Sequence, residues 1–114
     1  MRRSLPMITG LLLLSGIAFA ASNKPTRFWN LTSATITKLQ LSPVGQDAFG
    51  ANQCENDPDG SVDHDERLKI LGVGTGRYDV RLTQKNGRIC LVRDVAVKDG
   101  SVFSIEDKDL TDCK

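Results

Sequence analysis

The segment Tyr78-Asp79-Val80-Arg81-Leu82-Thr83 alternates apolar and polar side chains with a period of two, which only an extended strand converts into two distinct faces. Tyr78, Val80 and Leu82 mark one of them. Asn86-Gly87 suits the two positive φ angles of a type I′ turn, and Arg88-Ile89-Cys90-Leu91-Val92 returns as the partner strand. A two-residue loop pairs Lys85 with Arg88 and Leu82 with Leu91. Ile89 and Leu91 then join the apolar face, and Cys90 turns to the opposite side, across from Thr83. A chain with so clear a hairpin must build a sheet around it.

The rest of the chain has the same texture. Phe28-Trp29-Asn30-Leu31-Thr32 and Thr35 to Ser42 read as strands, the second with its alternation broken between Ile36 and Leu39, which a bulge near Lys38 repairs. Pro43 to Gly50 is a loop with Phe49 as an apolar plug. Leu68 and Ile70 share a face, and Gly72-Val73-Gly74-Thr75-Gly76 is too glycine-rich for a regular element. Val95-Ala96-Val97 extends the sheet. Asp99-Gly100 is a second hairpin signal, Val102 to Ile105 is the last strand, and Asp107 to Lys114 is a polar turn or tail. Short strands at this spacing predict an all-β fold, a small antiparallel β-sandwich or partly open barrel of six to seven strands.

Ahead of that domain, Arg2 and Arg3 precede an apolar run from Leu11 to Phe19 and the small-residue site Ala18-Phe19-Ala20. This is the layout of a signal peptide over residues 1–20, with 21–25 a flexible mature N-terminus and 26–114 a single β domain. The apolar run falls short of the ~20 residues that span a bilayer. The twin arginines, followed by Ser4-Leu5-Pro6, match a twin-arginine signal only in part, and ordinary secretion fits as well. The expected location is exported, periplasmic or secreted. Without Arg2 and Arg3 the chain carries thirteen basic against fourteen acidic side chains, which excludes the basic excess of a general nucleic-acid binder.

Cys54, Cys90 and Cys113 all follow the leader, and an exported chain meets an oxidising compartment. One disulfide is expected. Cys90 with Cys113 is favoured because the C-terminus can reach the strand, and Cys54 with Cys113 is the competing pair.

Glu55 to Glu66 places six carboxylates in twelve residues. Setting Gly60 at position 6 of an EF-hand loop puts Glu55, Asp57, Asp59, the Ser61 carbonyl, Asp63 and Glu66 at the liganding positions, and Val62 at the apolar anchor. The expectation is a calcium site in an EF-like loop on a β scaffold, although Glu at position 1, Pro58, and flanks that do not read as helices depart from the pattern. Two other readings stay open: a solvated acidic turn, and neutralisation by the basic residues Arg77, Arg81, Lys85, Arg88 and Arg93.

The remaining motifs carry less. His64, the one histidine, lies between Asp63 and Asp65, and adjacent residues of an extended segment point apart, so it reads as an exposed loop side chain. Gly72 to Gly76 precedes a strand and not a helix, which fails the context of a phosphate-binding loop. Asn30-Leu31-Thr32 has the form of a glycosylation sequon. Trp29 either packs across the sandwich or marks a binding edge.

Phe49-Gly50-Ala51-Asn52-Gln53, Asp57 to Leu68, Tyr78-Asp79-Val80-Arg81-Leu82 and Cys90 before Val92-Arg93-Asp94-Val95, behind an exported leader, resemble a group of small proteobacterial exported proteins usually labelled as hypothetical or Tat-pathway signal proteins. The resemblance covers most of the mature chain and implies an exported β-rich domain with no attached activity. The leading functional expectation is therefore a non-enzymatic exported module, structural or binding, with an unknown protein or envelope partner. The alternatives are a small hydrolase with paired carboxylates, and an inhibitor or adaptor that uses an exposed strand edge or Cys54.

Overall fold

The computed structural model describes residues 24–114, so the expected leader and cleavage site lie outside the described residues. Six strands form two three-stranded sheets: β1 (Thr26–Leu31), β2 (Ile36–Pro43), β3 (Arg67–Ile70), β4 (Gly76–Gln84), β5 (Ile89–Val97) and β6 (Val102–Glu106). The strand orders are β3-β1-β6 and β2-β4-β5. Packed face to face, they make the small β-sandwich expected from the sequence. Phe28, Leu68, Ile70, Phe103 and Ile105 line the first inner face; Leu39, Leu41, Val80, Leu82, Cys90 and Val92 are buried with them from the second. The Phe28 and Phe103 rings meet at 5.5 Å between centroids, within the range of a favourable aromatic pair. No helix among the described residues is long and apolar enough to cross a membrane.

Three of the four strand pairs are antiparallel, whereas β1 and β6 run parallel. The reason lies at Asp99-Gly100. Ser101 N–H closes a turn onto the Lys98 carbonyl at 3.0 Å, with Gly100 at φ +81. That turn carries the chain from β5 in one sheet to β6 in the other, so it is not a hairpin within a sheet.

Asn30 makes the other crossing. It is fully buried, yet its Nδ2 donates to the carbonyls of Ala34 and Val62, each at 2.9 Å, while Oδ1 accepts the Thr32 N–H at 3.0 Å and the Thr32 hydroxyl at 2.6 Å. All four of its hydrogen-bonding positions are used. This residue folds the chain from β1 back into β2 and ties the 62 loop to the corner. Its amide nitrogen is inaccessible, so the sequon is structural.

The bulge expected near Lys38 is present, as a register shift between Ile36 and Lys38. The β4–β5 register differs from expectation by one residue. Leu82 faces Cys90 and Thr83 faces Ile89, because the loop has three residues: Gln84 N–H donates to the Arg88 carbonyl and Gly87 N–H to the Gln84 carbonyl, both at 2.8 Å. Within the loop only Gly87 has positive φ, +92, the pattern of a turn closed by a glycine bulge and not of type I′. Two competing bonds explain the slip. Lys85 N–H is captured by the Thr35 carbonyl at 2.9 Å, and Asn86 Oδ1 accepts the Arg88 N–H at 2.9 Å. One residue of slip exchanges the faces, so Cys90 is buried and Ile89 is exposed.

The disulfide joins Cys90 to Cys113 as expected. The C-terminus achieves this by adding a short pairing to the β5 edge, with Leu91 and Thr111 exchanging both backbone bonds and Ile89 and Lys114 doing the same.

Candidate functional site

The acidic stretch does not form the expected calcium site. Val62 is drawn into the core and bridges Ile36 through N–H and carbonyl, at 2.9 and 3.0 Å, which divides the stretch into two separate turns. Before it, Asp57-Pro58-Asp59-Gly60 closes with Gly60 N–H on the Asp57 carbonyl at 2.9 Å, and Asp57 Oδ2 accepts the Asp59 N–H at 2.9 Å. Aspartate first, proline second and glycine fourth is the composition of a type I turn, and the φ of +71 at Gly60 serves that turn. After it, Asp63 accepts the Thr35 hydroxyl at 2.8 Å, Glu66 accepts the Asp63 N–H at 2.8 Å, and Asp65 accepts Trp29 Nε1–H at 3.0 Å. Glu55, Asp57, Asp59, Ser61, Asp63 and Glu66 therefore do not converge. Among the described residues no group of three or more His, Cys, Asp or Glu side chains could hold a metal ion.

The neutralisation reading fails for a related reason. Arg77 pairs with Asp94, and Arg93 with Asp79 and Asp112. Asp79 is buried and accepts the N–H groups of Gly45 at 2.9 Å and Asp94 at 3.1 Å. The Gly45 N–H, then the Asp94 N–H, hold its carboxyl below the usual range against the opposing effect of burial, with Arg93 adding to them. Asp107 is likewise held low, chiefly by the Ser33 N–H at 3.0 Å.

His64 donates Nδ1–H to the Thr32 carbonyl at 2.8 Å and sits exposed on its loop. Trp29 lies on the outer face of the first sheet, with the Arg67 guanidinium 4.1 Å over its ring and its N–H held by Asp65. Its face and its polar tip are thus both occupied within the chain. Phe49, expected as a plug, stacks instead under the Arg81 guanidinium at 4.2 Å. Cys54 is fully buried, with Sγ 3.6 Å from the Ile36 carbonyl. Burial, then the charge of Asp57, pushes its thiol up to about 11, which removes it as a reactive handle.

The feature the sequence did not reveal is a groove of about 440 Å³ at the end of the sandwich where the sheets part. Leu41 and Pro43 of β2 and Tyr78 of β4 form one side; Leu71 and Val73 of the β3–β4 connection form the other. Gln53 fixes that second wall. Its Oε1 accepts the Leu71 N–H at 2.9 Å and its Nε2 donates to the Leu71 carbonyl at 3.0 Å, so a side-chain amide replaces a neighbouring strand. The Leu71 side chain is nevertheless 55% exposed. Val44, next after Pro43, is 47% exposed, and its turn is held by the Asp79 bond to Gly45. Tyr78 donates its hydroxyl to the Gly74 carbonyl at 2.8 Å and anchors the glycine-rich connection. One signal of this site was legible: Leu71 is apolar at the outward position of an alternating strand.

No family model, curated protein or solved structure matches this chain.

Proposed function

We propose that this protein is an exported, disulfide-stapled β-sandwich that works as a binding module, accepting an apolar extended segment of another protein in the groove between Pro43 and Leu71. The observation that carries the reading is the pairing of exposure with rigidity. Leu71, on the groove wall, is a large apolar side chain in water on backbone clamped by Gln53, and Val44, exposed beside the groove residue Pro43, precedes the Gly45 N–H held by Asp79. Holding an exposed apolar group in one place lowers the ordering cost of association, and concave apolar sites with a few fixed polar groups are where ligands are held. Export is supported by the leader-like residues 1–20 and by the Cys90–Cys113 bond, a linkage that persists in oxidising compartments.

The test is to pan a displayed peptide library on the immobilised, oxidised protein. Enriched peptides should be rich in apolar residues, lose binding to L71D, and keep binding to I89D, which alters an exposed apolar residue on β5. Enrichment indifferent to L71D, or no enrichment, overturns the groove as the site.

A further inference from the structure

Three of the four sheet edges are closed from within the chain. The β2 edge is covered by Gly50 N–H on the Leu41 carbonyl, by Asn52 Oδ1 on the Leu39 N–H, and by the Ile36–Val62 bridge. Along β3, Asn56 Nδ2 donates to the Lys69 carbonyl and Gln53 holds Leu71. The C-terminal residues Thr111 and Lys114 pair with β5. The fourth edge, β6, is different. Arg27 N–H donates to the Ser101 carbonyl at 3.0 Å, so in this parallel pair the backbone groups of Ser101, Phe103 and Ile105 face β1, and those of Val102 and Ser104 face away. Among the described residues, Val102 and Ser104 have no backbone partner on that side, and the Val102 side chain is 48% exposed. β6 carries no lysine, proline or bulge; its guards are its length of five residues and the charge of Glu106 at its end.

We infer that β6 is the interface of a symmetric dimer, in which the same edge of a second copy of this chain pairs with it antiparallel about a two-fold axis at Ser104. The edge is complementary to itself. With Ser104 opposite its own copy, Val102 stands opposite Glu106 of the second copy. Arg27 lies beside Val102 on the outer face, one strand away, at a spacing of about 4.8 Å per strand that its side chain spans. Each Arg27 thereby meets the other copy's Glu106, twice per dimer. Lys69 continues the basic row behind Arg27. Glu106 N–H is already held by Asp109 Oδ2 at 2.8 Å, so the joint has about four backbone hydrogen bonds. An interface this short belongs to the small, transient class. It produces a continuous six-stranded sheet with both grooves left open, and it stands independently of the groove reading.

The test is sedimentation equilibrium of the exported, oxidised protein from micromolar to millimolar concentration, together with the charge variants. The mass should rise towards the dimer with concentration, less so at high salt. R27E and E106R should each weaken association about tenfold, two pairs being reversed at once, and the R27E/E106R double variant should regain it. The Glu106 carboxylate also accepts the Asp109 N–H in the capping box of the adjoining turn; because that contribution enters both arms of this cycle, it cancels. A chain monomeric at every concentration overturns the inference, as does a dimer in which the two substitutions act additively with no rescue. Binding of an unrelated extended peptide at β6 without self-association also overturns it.

Discussion

Cys90 of β5 stands directly across from Cys113, in the gap between two hydrogen-bonded pairs, Ile89 with Lys114 and Leu91 with Thr111. The disulfide therefore clamps a piece of sheet that is only four residues long. It closes a loop with a sequence separation of 23, which in the chain-entropy model contributes about 3 kcal/mol.

Replacing both cysteines with serine should accordingly lower the melting midpoint by roughly 10–20 °C. The loss should be local as well as global. Amide exchange at Ile89, Leu91 and Thr111 is expected to accelerate more than at Leu39 or Leu82, because the strap over the β5 edge is released first.

Asp79 contributes to the acid limit of the fold, alongside Asp107. Its carboxylate holds the Gly45 turn and the Asp94 position of β5 together, and its folded pKa is depressed. A depressed folded value means that this stabilisation is fully present above the unfolded carboxylate value of about 3.9 and drains away as pH falls from there through the folded value. Urea midpoints measured from pH 6 to pH 2 should fall on this limb for the natural chain. In D79N the midpoint should be lower at pH 6 and the limb shallower, and a limb unchanged in D79N would assign the acid sensitivity elsewhere.

How far the sequence disclosed this arrangement depends on what each feature required. The strands were legible because alternation at Tyr78, Val80 and Leu82 is a local pattern, and the bulge near Lys38 was legible because the pattern breaks there. The β4–β5 register was not, since it hinges on Lys85 N–H meeting the Thr35 carbonyl, fifty residues earlier in the chain. The calcium expectation failed on the same distinction. Spacing alone satisfied the EF-hand pattern, but Val62 is claimed by Ile36, and no local pattern announces that bond. The groove depends on the long-range contact between Gln53 and Leu71, and only the misplaced apolar Leu71 hinted at it.

The turn reading of Asp57 to Gly60 exchanges the expected importance of two residues. As a ligand set, Asp59 would matter and Gly60 would only ease the bend. As a turn, Gly60 is the constrained position, with φ +71 and no steric contact within 4 Å of an added Cβ. Gly60→Ala should therefore cost about 1 kcal/mol from backbone conformation alone, while Asp59→Ala stays within about 0.5 kcal/mol. Chemical denaturation of both variants, with calcium and with chelator, should give the same ranking in each condition.

Asn30 is a fully buried polar side chain that bonds backbone groups on both sides of a chain corner. Removing its side chain orphans the Thr32 N–H and takes one donor from each of the Val62 and Ala34 carbonyls, which keep the Ile36 N–H and the Thr32 hydroxyl, at a buried corner where β1 hands over to β2. The orphaned Thr32 N–H costs about 1–3 kcal/mol and each bond lost from the two carbonyls about 1 kcal/mol, so Asn30→Ala should lose about 3–5 kcal/mol, a large part of the stability of a domain this size. Asn30→Asp keeps the acceptor side and loses both donors, placing a carboxylate against two carbonyl oxygens. Its destabilisation should equal or exceed that of the alanine variant at neutral pH and lessen as the pH is lowered towards protonation. Urea unfolding of the two variants at pH 7 and pH 5 provides the comparison. An Asn30→Ala protein as stable as the natural chain would show that the corner is held by β2 and Val62 without the amide.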